Sequence, residues 1–397
     1  MDNVDELLTR GVANIIPSKD QLKKLLENGK TLNIYLGIDP TATRIHLGHA
    51  VPLRKLQAFA DLGHNVTFLI GDFTALIGDT SDKDTERPVF TPEEIEQNFQ
   101  TYKKQAEKII DFSKVKIQKN STWLKKLTFE EIIKLCQHFS FGDFAGRELI
   151  KKRLTASKHV GLHEGMYPVM QGYDSYFMNT DIQIGGTDQT FNMQAGRILQ
   201  KDLHNKESFI LATEFLEGTD GRKMSKSWGN AIWLEDEPNV MFAKTMSIKD
   251  ELIIQYYTLA TNTSLSEIEE IKKKLDSDIN PMDLKKELAH RVVTELYNQK
   301  QADEAQDYFE KTVQQKELPE EIMEISLVDA IGSGRLATDV IIAIKFAESR
   351  TEAKRLIEQG GVQIDNNKIA SPNSLVYLEP GSIIKVGKRR IIRITTS

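Results

Sequence analysis

Two short stretches of the sequence carry side chains whose types and spacing suit phosphate chemistry. His46 and His49 lie three residues apart around Gly48, and Lys223 and Lys226 lie three residues apart in the polar segment TDGRKMSKSWGN. An imidazole can donate hydrogen bonds and an ammonium group can neutralise charge, so both pairs suit an anionic ligand. The sequence also leaves plainer interpretations open. The histidines could be metal ligands or incidental surface or core residues, and the lysines could be a solvated charge run.

The elements around the histidines favour the phosphate interpretation. The segment TLNIYLGID, residues 31–39, alternates apolar and polar side chains at period two, which predicts a strand with one usable polar face. The histidines follow it at the start of a predicted helix, whose N-terminus favours an anion. We expect His46 and His49 on one helical face, able to donate to the same phosphate. Gly48 would let a bulky ligand approach the backbone closely.

The first half of the chain alternates strand-like and helix-like segments. Short strands are predicted at NVTFLIGD, VKIQKN, DIQIGG and FILATEF, with helices between them. Two of the helices begin with a capping box, formed by Thr91 with Glu94 and by Thr128 with Glu131. This order predicts an α/β fold with a doubly wound parallel, Rossmann-like catalytic sheet, in which ligands bind at the carboxyl ends of the strands.

The second half of the chain changes character twice. From residue 247 to about 315 the pattern is amphipathic helix, and the last segment combines helices with the short strands VQI, SLVYL, SIIKVG and RIIRI. We therefore predict three domains. They are a catalytic domain at 1–230, an α-helical domain at 231–330 and a small α+β domain at 338–397.

The composition excludes several classes of protein. Cys136 is the only cysteine, which excludes an internal disulfide and a metal site built from several thiolates. No apolar run reaches the roughly 18 to 20 residues of a membrane span, and the acidic N-terminal sequence MDNVDELLTRGV is unlike a secretory or mitochondrial leader. We expect a cytoplasmic protein with no membrane partner and no protein-bound zinc or other metal.

The charge is unevenly distributed along the chain. Residues 338–397 contain ten Lys and Arg against six Asp and Glu, a net charge of +4, and the whole chain carries −6, which leaves −10 for residues 1–337. The tail includes the basic cluster Lys388, Arg389 and Arg390. Such a cluster could bind RNA phosphates or could be a solvated surface.

Together, the two motifs resemble those of the class I aminoacyl-tRNA synthetases. Residues 46–49 match the HIGH motif with Leu47 in place of Ile, and residues 223–227 are the KMSKS motif letter for letter. Within that class the chain resembles the bacterial-type tyrosyl-tRNA synthetases over essentially its whole length, through YLGIDPTATRIHLGH, LIGDTSDKDTER, YPVMQGYD and QIGGTDQ. The tail, from SRTEAKRLIEQGGVQID to KVGKRRIIRI, is similar to an S4 RNA-binding domain.

The resemblance implies a two-step reaction in a homodimer. The carboxylate of L-tyrosine attacks the α-phosphate of ATP, which is supplied with Mg²⁺, and pyrophosphate leaves. The adenylate then passes tyrosine to the 3′-terminal ribose of its tRNA. The substrate supplies the nucleophile, so catalysis depends on positioning and charge stabilisation. By resemblance, the residues that hold the phosphates or the departing pyrophosphate are Thr41, His46, His49, Lys83, Arg87, Lys223 and Lys226.

The resemblance also implies how each substrate is bound. Nucleotide contacts are implied at Gly37, Asp39, Gly48, Gly186, Asp188, Gln189, Met224 and Lys226, and tRNA contacts at Lys388, Arg389 and Arg390. Tyrosine contacts are implied at Tyr35, Asp79, Asn120, Tyr167, Gln171, Asp174 and Gln183. Tyr35 and Asp174 would bracket the substrate hydroxyl. Phenylalanine would leave both groups unpaired, and an enzyme of this family is the standard example of such discrimination.

One position departs from the family pattern, and three other functions fit the sequence less well. Leu36 stands where some relatives carry a cysteine that touches the ATP ribose. A tryptophanyl enzyme is disfavoured because an indole has no hydroxyl to pair with Tyr35 and Asp174. A nucleotidyltransferase is disfavoured by the KMSKS motif and the tail. A synthetase-like protein without catalysis is disfavoured because both motifs are intact.

Overall fold

The computed structural model describes residues 3–79, 90–225, 228–277, 280–314, 323–331, 335–387 and 390–396. The chain divides into two compact units, Met1–Ala305 and Gln306–Ser397. Five of the predicted site residues lie outside the described residues, namely Lys83, Arg87, Lys226, Lys388 and Arg389.

A six-stranded sheet forms the centre of the first unit. Its strands are β1 (Val12–Ile16), β2 (Asn33–Ile38), β3 (Asn65–Ile70), β4 (Val115–Lys119), β5 (Ile182–Gly186) and β6 (Phe209–Thr213). Their order across the sheet is β1-β6-β5-β2-β3-β4. The chain runs to one side from β2 through β3 to β4 and to the other from β5 to β6, so the topological switch point lies between β2 and β5. Ligands are expected there.

The α/β class and the Rossmann-like sheet are confirmed, with one correction. Strands β2 to β6 are mutually parallel, but β1 pairs with β6 in the antiparallel direction, so the sheet is mixed rather than parallel throughout. Strand β1 was not predicted. It is an edge strand with Ala13 and Asn14 exposed, and such a strand lacks the alternation or continuous apolar run that marks a strand in sequence.

Helices surround this sheet and continue beyond it. Their bounds are α1 (Asn3–Leu7), α2 (Lys19–Glu27), α3 (Leu47–Asp61), α4 (Pro92–Ala106), α5 (Ser121–Leu124), α6 (Phe129–Cys136), α7 (Phe141–Ala145), α8 (Glu148–Thr155), α9 (Met166–Phe177), α10 (Thr190–His204), α11 (Pro238–Met246), α12 (Ile253–Ala260), α13 (Leu265–Leu275), α14 (Pro281–Leu296) and α15 (Gln299–Phe309). Among the described residues, no helix is long and apolar enough to cross a membrane.

Both predicted capping boxes are present. At the start of α4, the Glu94 amide donates to Thr91 Oγ1 at 3.2 Å and the Thr91 amide donates to Glu94 Oε2 at 2.8 Å. Thr128 and Glu131 make the same exchange at the start of α6. Each box satisfies two backbone donors that a helix N-terminus leaves without partners, which is why these helices could be located from sequence.

Helices α11 to α14 belong to the same compact unit as the sheet. The end of α14 contacts the segment that precedes α11, because the Tyr297 hydroxyl donates to the Asp236 carbonyl at 2.7 Å. The Lys108 ammonium lies 3.6 Å from the centroid of the Tyr297 ring and donates to the Leu234 carbonyl at 2.6 Å. The division of the chain into three domains stays a prediction.

The second unit contains a five-stranded sheet of order β7-β11-β10-β8-β9. Its elements are β7 (Met323–Ser326), α16 (Leu327–Ile331), α17 (Ala337–Ala343), α18 (Arg350–Glu358), β8 (Val362–Ile364), β9 (Asn367–Lys368), β10 (Ile383–Val386) and β11 (Arg390–Thr395). Val340, Ile357 and Ile384 belong to its buried core. The predicted strand SLVYL is wrong, because that segment makes a single bridge, between Leu375 and Leu336.

A buried ion pair fixes the segment that leads into α9. The Arg153 guanidinium donates two hydrogen bonds to the Glu164 carboxylate, at 2.6 and 2.9 Å, and the two side chains are 3% and 1% exposed. Arg153 also donates to the His159 carbonyl at 2.7 Å, and Glu164 accepts from the Gly161 amide at 2.8 Å. The pair therefore ties the end of α8 to the turn before α9.

We predict that Arg153→Ala lowers the free energy of unfolding by roughly 3 to 5 kcal/mol, because it leaves the Glu164 carboxylate buried without its partner. Chemical denaturation measures the change. The double variant Arg153→Met/Glu164→Leu should lose less than either single truncation, since no charge is then buried unpaired. Lys300→Ala, at an exposed pair with Glu304, is the control and should change stability little. An equally small effect of Arg153→Ala would contradict the prediction.

Candidate active site

A cleft of about 590 Å³ opens at the carboxyl ends of β2 and β5, at the topological switch point of the sheet. Most of the predicted site residues that the structure describes line this cleft. They are Gly37, Asp39, Thr41, His46, Gly48, His49, Asp79, Tyr167, Gly186, Asp188, Gln189, Lys223 and Met224. The structure thus brings the two sequence motifs to one cavity.

The two histidines form a stacked pair at the start of α3. Their ring centroids are 3.8 Å apart, and the His46 amide donates to His49 Nδ1 at 3.3 Å. That acceptor role assigns the ring proton of a neutral His49 to Nε2. His46 is the residue before the first turn, with extended backbone, so the two do not share a helical face as predicted. Ring stacking brings them together instead.

His46 is held in its neutral form. Burial is the first cause, and the neighbouring His49 and Lys223 add to it, lowering the pKa of His46 to about 2. Its Nδ1 atom is buried and has no hydrogen-bond partner among the described residues. Because its pKa lies far below neutral pH, the His46 ring is a weak proton acceptor, and it suits uncharged hydrogen bonding rather than proton removal.

Gly48 makes room for the His46 side chain. A Cβ atom at this position would lie 3.0 Å from both Cε1 and Nδ1 of the His46 ring, and 3.8 Å from Cβ of Met224. The glycine therefore allows the His46 ring to fold back over the start of α3. This role adds to the predicted one, since Gly48 also lines the cleft.

Lys223 also lines the cleft, from the segment that follows β6. Its ammonium is 3.4 Å from the Asp188 carboxylate and 4.1 Å from the centroid of the Phe215 ring. Gly186 admits the Asp188 side chain, because a Cβ at Gly186 would lie 2.6 Å from Asp188 Oδ1. The lysine is 45% exposed, so its charge remains available to an anion in the cleft.

A narrower pocket of about 50 Å³ adjoins the cleft and shares Asp39, Tyr167 and Gln189 with it. Five predicted tyrosine contacts line the pocket, namely Tyr35, Asn120, Tyr167, Gln171 and Asp174.

Asp174 is the buried carboxyl group of this pocket, with 2% exposure. Its Oδ1 accepts from Trp123 Nε1 at 2.6 Å and its Oδ2 accepts from Asn120 Nδ2 at 3.1 Å. Burial raises the pKa of Asp174 to about 8, although these two hydrogen bonds act in the opposite direction. The carboxyl group therefore keeps its proton to a higher pH than an exposed aspartate does, and a ligand that donates a hydrogen bond to it would favour the ionised form.

Tyr35 projects from β2 and is 3% exposed. Its hydroxyl donates to Gln183 Oε1 at 3.1 Å, and Gln183 Nε2 donates to the Met193 carbonyl at 2.9 Å. Burial and the nearby Asp174 raise the pKa of Tyr35 well above its usual value, so the phenol stays protonated. Gln183 is fully buried behind Tyr35 rather than among the residues that line the pocket, which differs from its predicted role as a substrate contact.

Asp39 joins the pocket to the cleft. Its carboxylate accepts from Thr74 Oγ1 at 2.8 Å and from the Tyr167 hydroxyl at 2.9 Å. Gly71 is required beside it, because a Cβ there would lie 1.9 Å from Asp39 Oδ1 and 2.4 Å from Thr74 Oγ1. Asn120 donates to Thr74 Oγ1 at 3.0 Å, which connects this group to Asp174.

Asp79 lines the cleft but not the narrower pocket. Gln189 Nε2 donates to Asp79 Oδ2 at 2.7 Å, and Asn192 Nδ2 lies 3.4 Å from Asp79 Oδ1. Asp79 is 8% exposed and lines the cleft, so it offers a negative charge to a cationic group.

Several residues of the site were missed by sequence reasoning. Gly71, Thr74, Trp123 and Asn192 act through the side chains described above, and Trp233 lines the cleft with its ring centroid 5.7 Å from that of His46. Trp123 could have been suspected because a buried indole needs a hydrogen-bond acceptor. The others carry no local sequence pattern, since their contacts join distant segments.

In the second unit, Arg390 is the described member of the predicted basic cluster. It begins β11, and its guanidinium donates to the carbonyl of Phe346. Arg390 is exposed, so part of its surface remains open to solvent.

Comparison with known proteins agrees with this geometry. The family of tRNA synthetases class I (W and Y) matches residues 27–314, and the S4 domain family matches residues 339–378. The chain is 42% identical over 98% of its length to a tyrosine--tRNA ligase of Dehalococcoides mccartyi, and 43% identical over 98% to one of Carboxydothermus hydrogenoformans. It covers 98% and 97% of those two proteins. The chain therefore belongs to the class I tRNA synthetases of the W and Y group.

Solved structures support the fold. A tyrosyl-tRNA synthetase from Archaeoglobus fulgidus, crystallised with L-tyrosine, matches 77% of this chain and 99% of its own with a TM-score of 0.60 at 21% identity. A truncated mitochondrial tyrosyl-tRNA synthetase from Aspergillus nidulans matches 77% of this chain and 92% of its own with a TM-score of 0.65 at 22% identity.

Proposed function

We propose that this protein is a tyrosine--tRNA ligase. It activates L-tyrosine with ATP to form tyrosyl-adenylate and pyrophosphate, and then transfers tyrosine to the 3′-terminal ribose of tRNA. The observation that carries the proposal is the buried pair of polar groups, Tyr35 and Asp174. They lie in a pocket that adjoins the cleft lined by the histidines and Lys223. The names of the two bacterial relatives and the L-tyrosine in the Archaeoglobus structure support it.

In the proposed complex, the substrate phenol lies between Tyr35 and Asp174. A substrate without a hydroxyl would lose the hydrogen bonds that Tyr35 and Asp174 can make beyond those within the protein, which costs far more than losing a methylene contact. The amino group of tyrosine lies near Asp79, Tyr167 and Gln171, where the carboxylate of Asp79 can neutralise it. Asn120 and Gln183 support the pocket by holding Asp174 and Tyr35.

The ATP phosphates lie in the cleft between the histidines and Lys223. His46 and His49 donate hydrogen bonds to phosphate oxygens as tyrosine attacks, with Thr41 beside them, and Lys223 neutralises the departing pyrophosphate. We assign the same pyrophosphate role to Lys83, Arg87 and Lys226. Gly37, Asp39, Gly186, Asp188, Gln189 and Met224 line the nucleotide site.

Magnesium enters the proposal as part of the substrate. Within the described part of the chain, no group of three or more His, Cys, Asp or Glu residues is arranged to hold a metal ion. We therefore propose that Mg²⁺ arrives on the phosphates of ATP, where it neutralises charge on the leaving pyrophosphate.

The second unit is proposed to bind the tRNA. Residues 338–397 carry a net charge of +4, which suits an RNA backbone, whereas the −10 of residues 1–337 disfavours unspecific binding. Lys388, Arg389 and Arg390 are the proposed contacts. Because charged tRNA supplies translation, we place the reaction in the cytoplasm.

We further propose a homodimer built on the segment between β4 and α9. Large apolar side chains are exposed there, although apolar residues of this size are usually buried. They are Phe129 at 78%, Ile133 at 48%, Phe141 at 71%, Leu154 at 48% and Leu162 at 81% exposure. A second copy of the chain would cover these side chains. It would also hold the turn before α9, the helix that carries Tyr167 and Asp174.

The purified protein should exchange radiolabelled pyrophosphate into ATP only when tyrosine is present, because exchange requires formation and reversal of the adenylate. Phenylalanine and tryptophan, at equal concentration, should give background exchange. Equal exchange with either would overturn the specificity, and no exchange with any amino acid would overturn the ligase function.

The same assay separates the role of the tail. A chain that lacks residues 338–397 should keep tyrosine-dependent exchange and lose most of its charging of tRNA, because activation needs only the first unit. Normal charging by the shortened chain would refute an RNA role for the tail.

Tyrosine binding should depend on pH through Asp174. A substrate hydroxyl that donates to the carboxylate favours its ionised form, so binding lowers the pKa of Asp174 from about 8 and releases a proton. The dissociation constant of tyrosine should therefore fall as the pH rises from 6 to 8, by up to about tenfold per unit, and level off above that. Calorimetric titration in buffers of different ionisation enthalpy would count the proton. Asp174→Asn should remove the slope, and an unchanged slope in that variant would exclude Asp174 as its source.

The dimer proposal predicts that Leu162→Asp yields a monomer. Sedimentation velocity at micromolar concentration should give twice 45.1 kDa for the natural protein and 45.1 kDa for the variant. Leu203→Asp, which places the same change at a half-exposed position on α10, is the control and should stay dimeric. A dimeric Leu162→Asp variant would place the interface elsewhere.

A further inference from the structure

The loop between β6 and α11, described at residues 214–225 and 228–237, folds around one buried side chain. This loop carries Lys223 and Met224 on the cleft wall, and Asn230 near its end is only 3% exposed. A buried carboxamide must have partners for its carbonyl oxygen and its amino group. Its partners therefore report how the loop is held.

The Asn230 carboxamide bonds to residues before and after the cleft-lining pair. Its Oδ1 accepts from the Ser225 amide at 2.9 Å, and its Nδ2 donates to Asp220 Oδ1 at 2.7 Å. The same Nδ2 lies 3.3 Å from the Lys223 carbonyl and 3.4 Å from the Arg222 carbonyl. One side chain thus fixes the backbone on both sides of Met224.

The turn that faces Asn230 is shaped to admit it. A Cβ at Gly218 would lie 2.4 Å from Cγ of Asn230 and 2.8 Å from its carbonyl oxygen. The Gly218 amide donates to the Arg222 carbonyl at 2.7 Å, and the Thr219 amide donates to the Asn230 carbonyl at 3.1 Å. Only a residue without a side chain allows the two strands of the loop to approach this closely.

The clamped backbone carries two contacts that reach across the cleft. The Lys223 ammonium lies 3.4 Å from Asp188, and Met224 is 3% exposed and faces Gly48 at the start of α3. If the backbone at 222–225 shifted, the lysine would move relative to the histidines. A misplacement of about 1 Å can lower a rate by about 100-fold when catalysis depends on positioning.

We propose that Asn230 is a positioning residue. It holds the backbone of residues 222–225 so that Lys223 stays correctly placed relative to the histidine pair during adenylate formation. The inference rests on the proposed function, since that function gives Lys223 its role. Asparagine is required because the site needs an acceptor for the Ser225 amide and a donor for Asp220. Aspartate would keep the acceptor but would place a second carboxylate beside Asp220.

The test is single-turnover adenylate formation with saturating tyrosine and ATP. Asn230→Ala and Asn230→Asp should lower the rate by about 10- to 100-fold, while the dissociation constant of tyrosine changes by less than about twofold. Gly218→Ala should act in the same direction, because its Cβ displaces the carboxamide. Trypsin should cleave after Arg222 or Lys223 faster in all three variants.

Two further variants separate positioning from general damage. Asp220→Asn, added to Asn230→Asp, restores a donor opposite the new carboxylate and should recover most of the lost rate and the protease resistance. Asn280→Ala is the control. It removes the N-cap of α14, where Asn280 Oδ1 accepts from the Met282 amide at 3.1 Å, and it should change neither the rate nor the protease resistance.

The outcomes discriminate clearly. If the natural protein shows tyrosine-dependent exchange and the Asn230 variants match its rate, the positioning role is refuted and the proposed function stands. If Asn230→Ala weakens tyrosine binding as much as it slows the reaction, its effect is on the whole fold and the inference also fails. Absence of exchange in the natural protein would instead refute the proposed function.

Discussion

The burial of the Asp174 carboxyl group is the constraint on which the pocket depends. An ionised carboxylate away from water is unfavourable unless donors surround it, and the chain supplies two, from Trp123 and Asn120. Asn120 is itself held, because its Oδ1 accepts from the Phe73 amide at 2.9 Å and its backbone amide donates to the Ile70 carbonyl at 3.0 Å. The requirements of one carboxyl group therefore connect α9, the end of β4 and the loop after β3.

The cleft depends on a different constraint, the close approach of side chains to the backbone at Gly48. The His46 ring folds over Gly48, and Met224 packs against the same glycine. Burial and the neighbouring His49 and Lys223 keep His46 neutral, so this ring adds no positive charge to the cleft, whereas the Lys223 ammonium does. The cleft thus offers directional hydrogen bonding from the His46 ring and charge neutralisation from Lys223, and a phosphoryl centre with a charged leaving group needs both.

Sequence alone predicted the parts that depend on local pattern or on contiguous motifs. The capping boxes, the strand that carries Tyr35 and the helix after His49 follow from short-range periodicity, and the structure has them. What could not be predicted depends on contacts between distant segments. Gly71 matters only because Asp39 and Thr74 approach it from elsewhere, and β1 is defined by its pairing with β6 rather than by its own alternation.

Gln183, which was predicted as a tyrosine contact, lies one step behind the pocket lining. Residues Tyr35 and Gln183 are directly paired across β2 and β5, so their side chains meet on the same face of the sheet. Gln183 consequently binds the Tyr35 hydroxyl and leaves it oriented, with the Met193 carbonyl holding the other end of the carboxamide. In the proposed reaction the protein supplies no nucleophile. Selectivity and rate then depend on how firmly such residues hold the groups that touch the substrate, and Gln183 and Asn230 do this at opposite ends of the site.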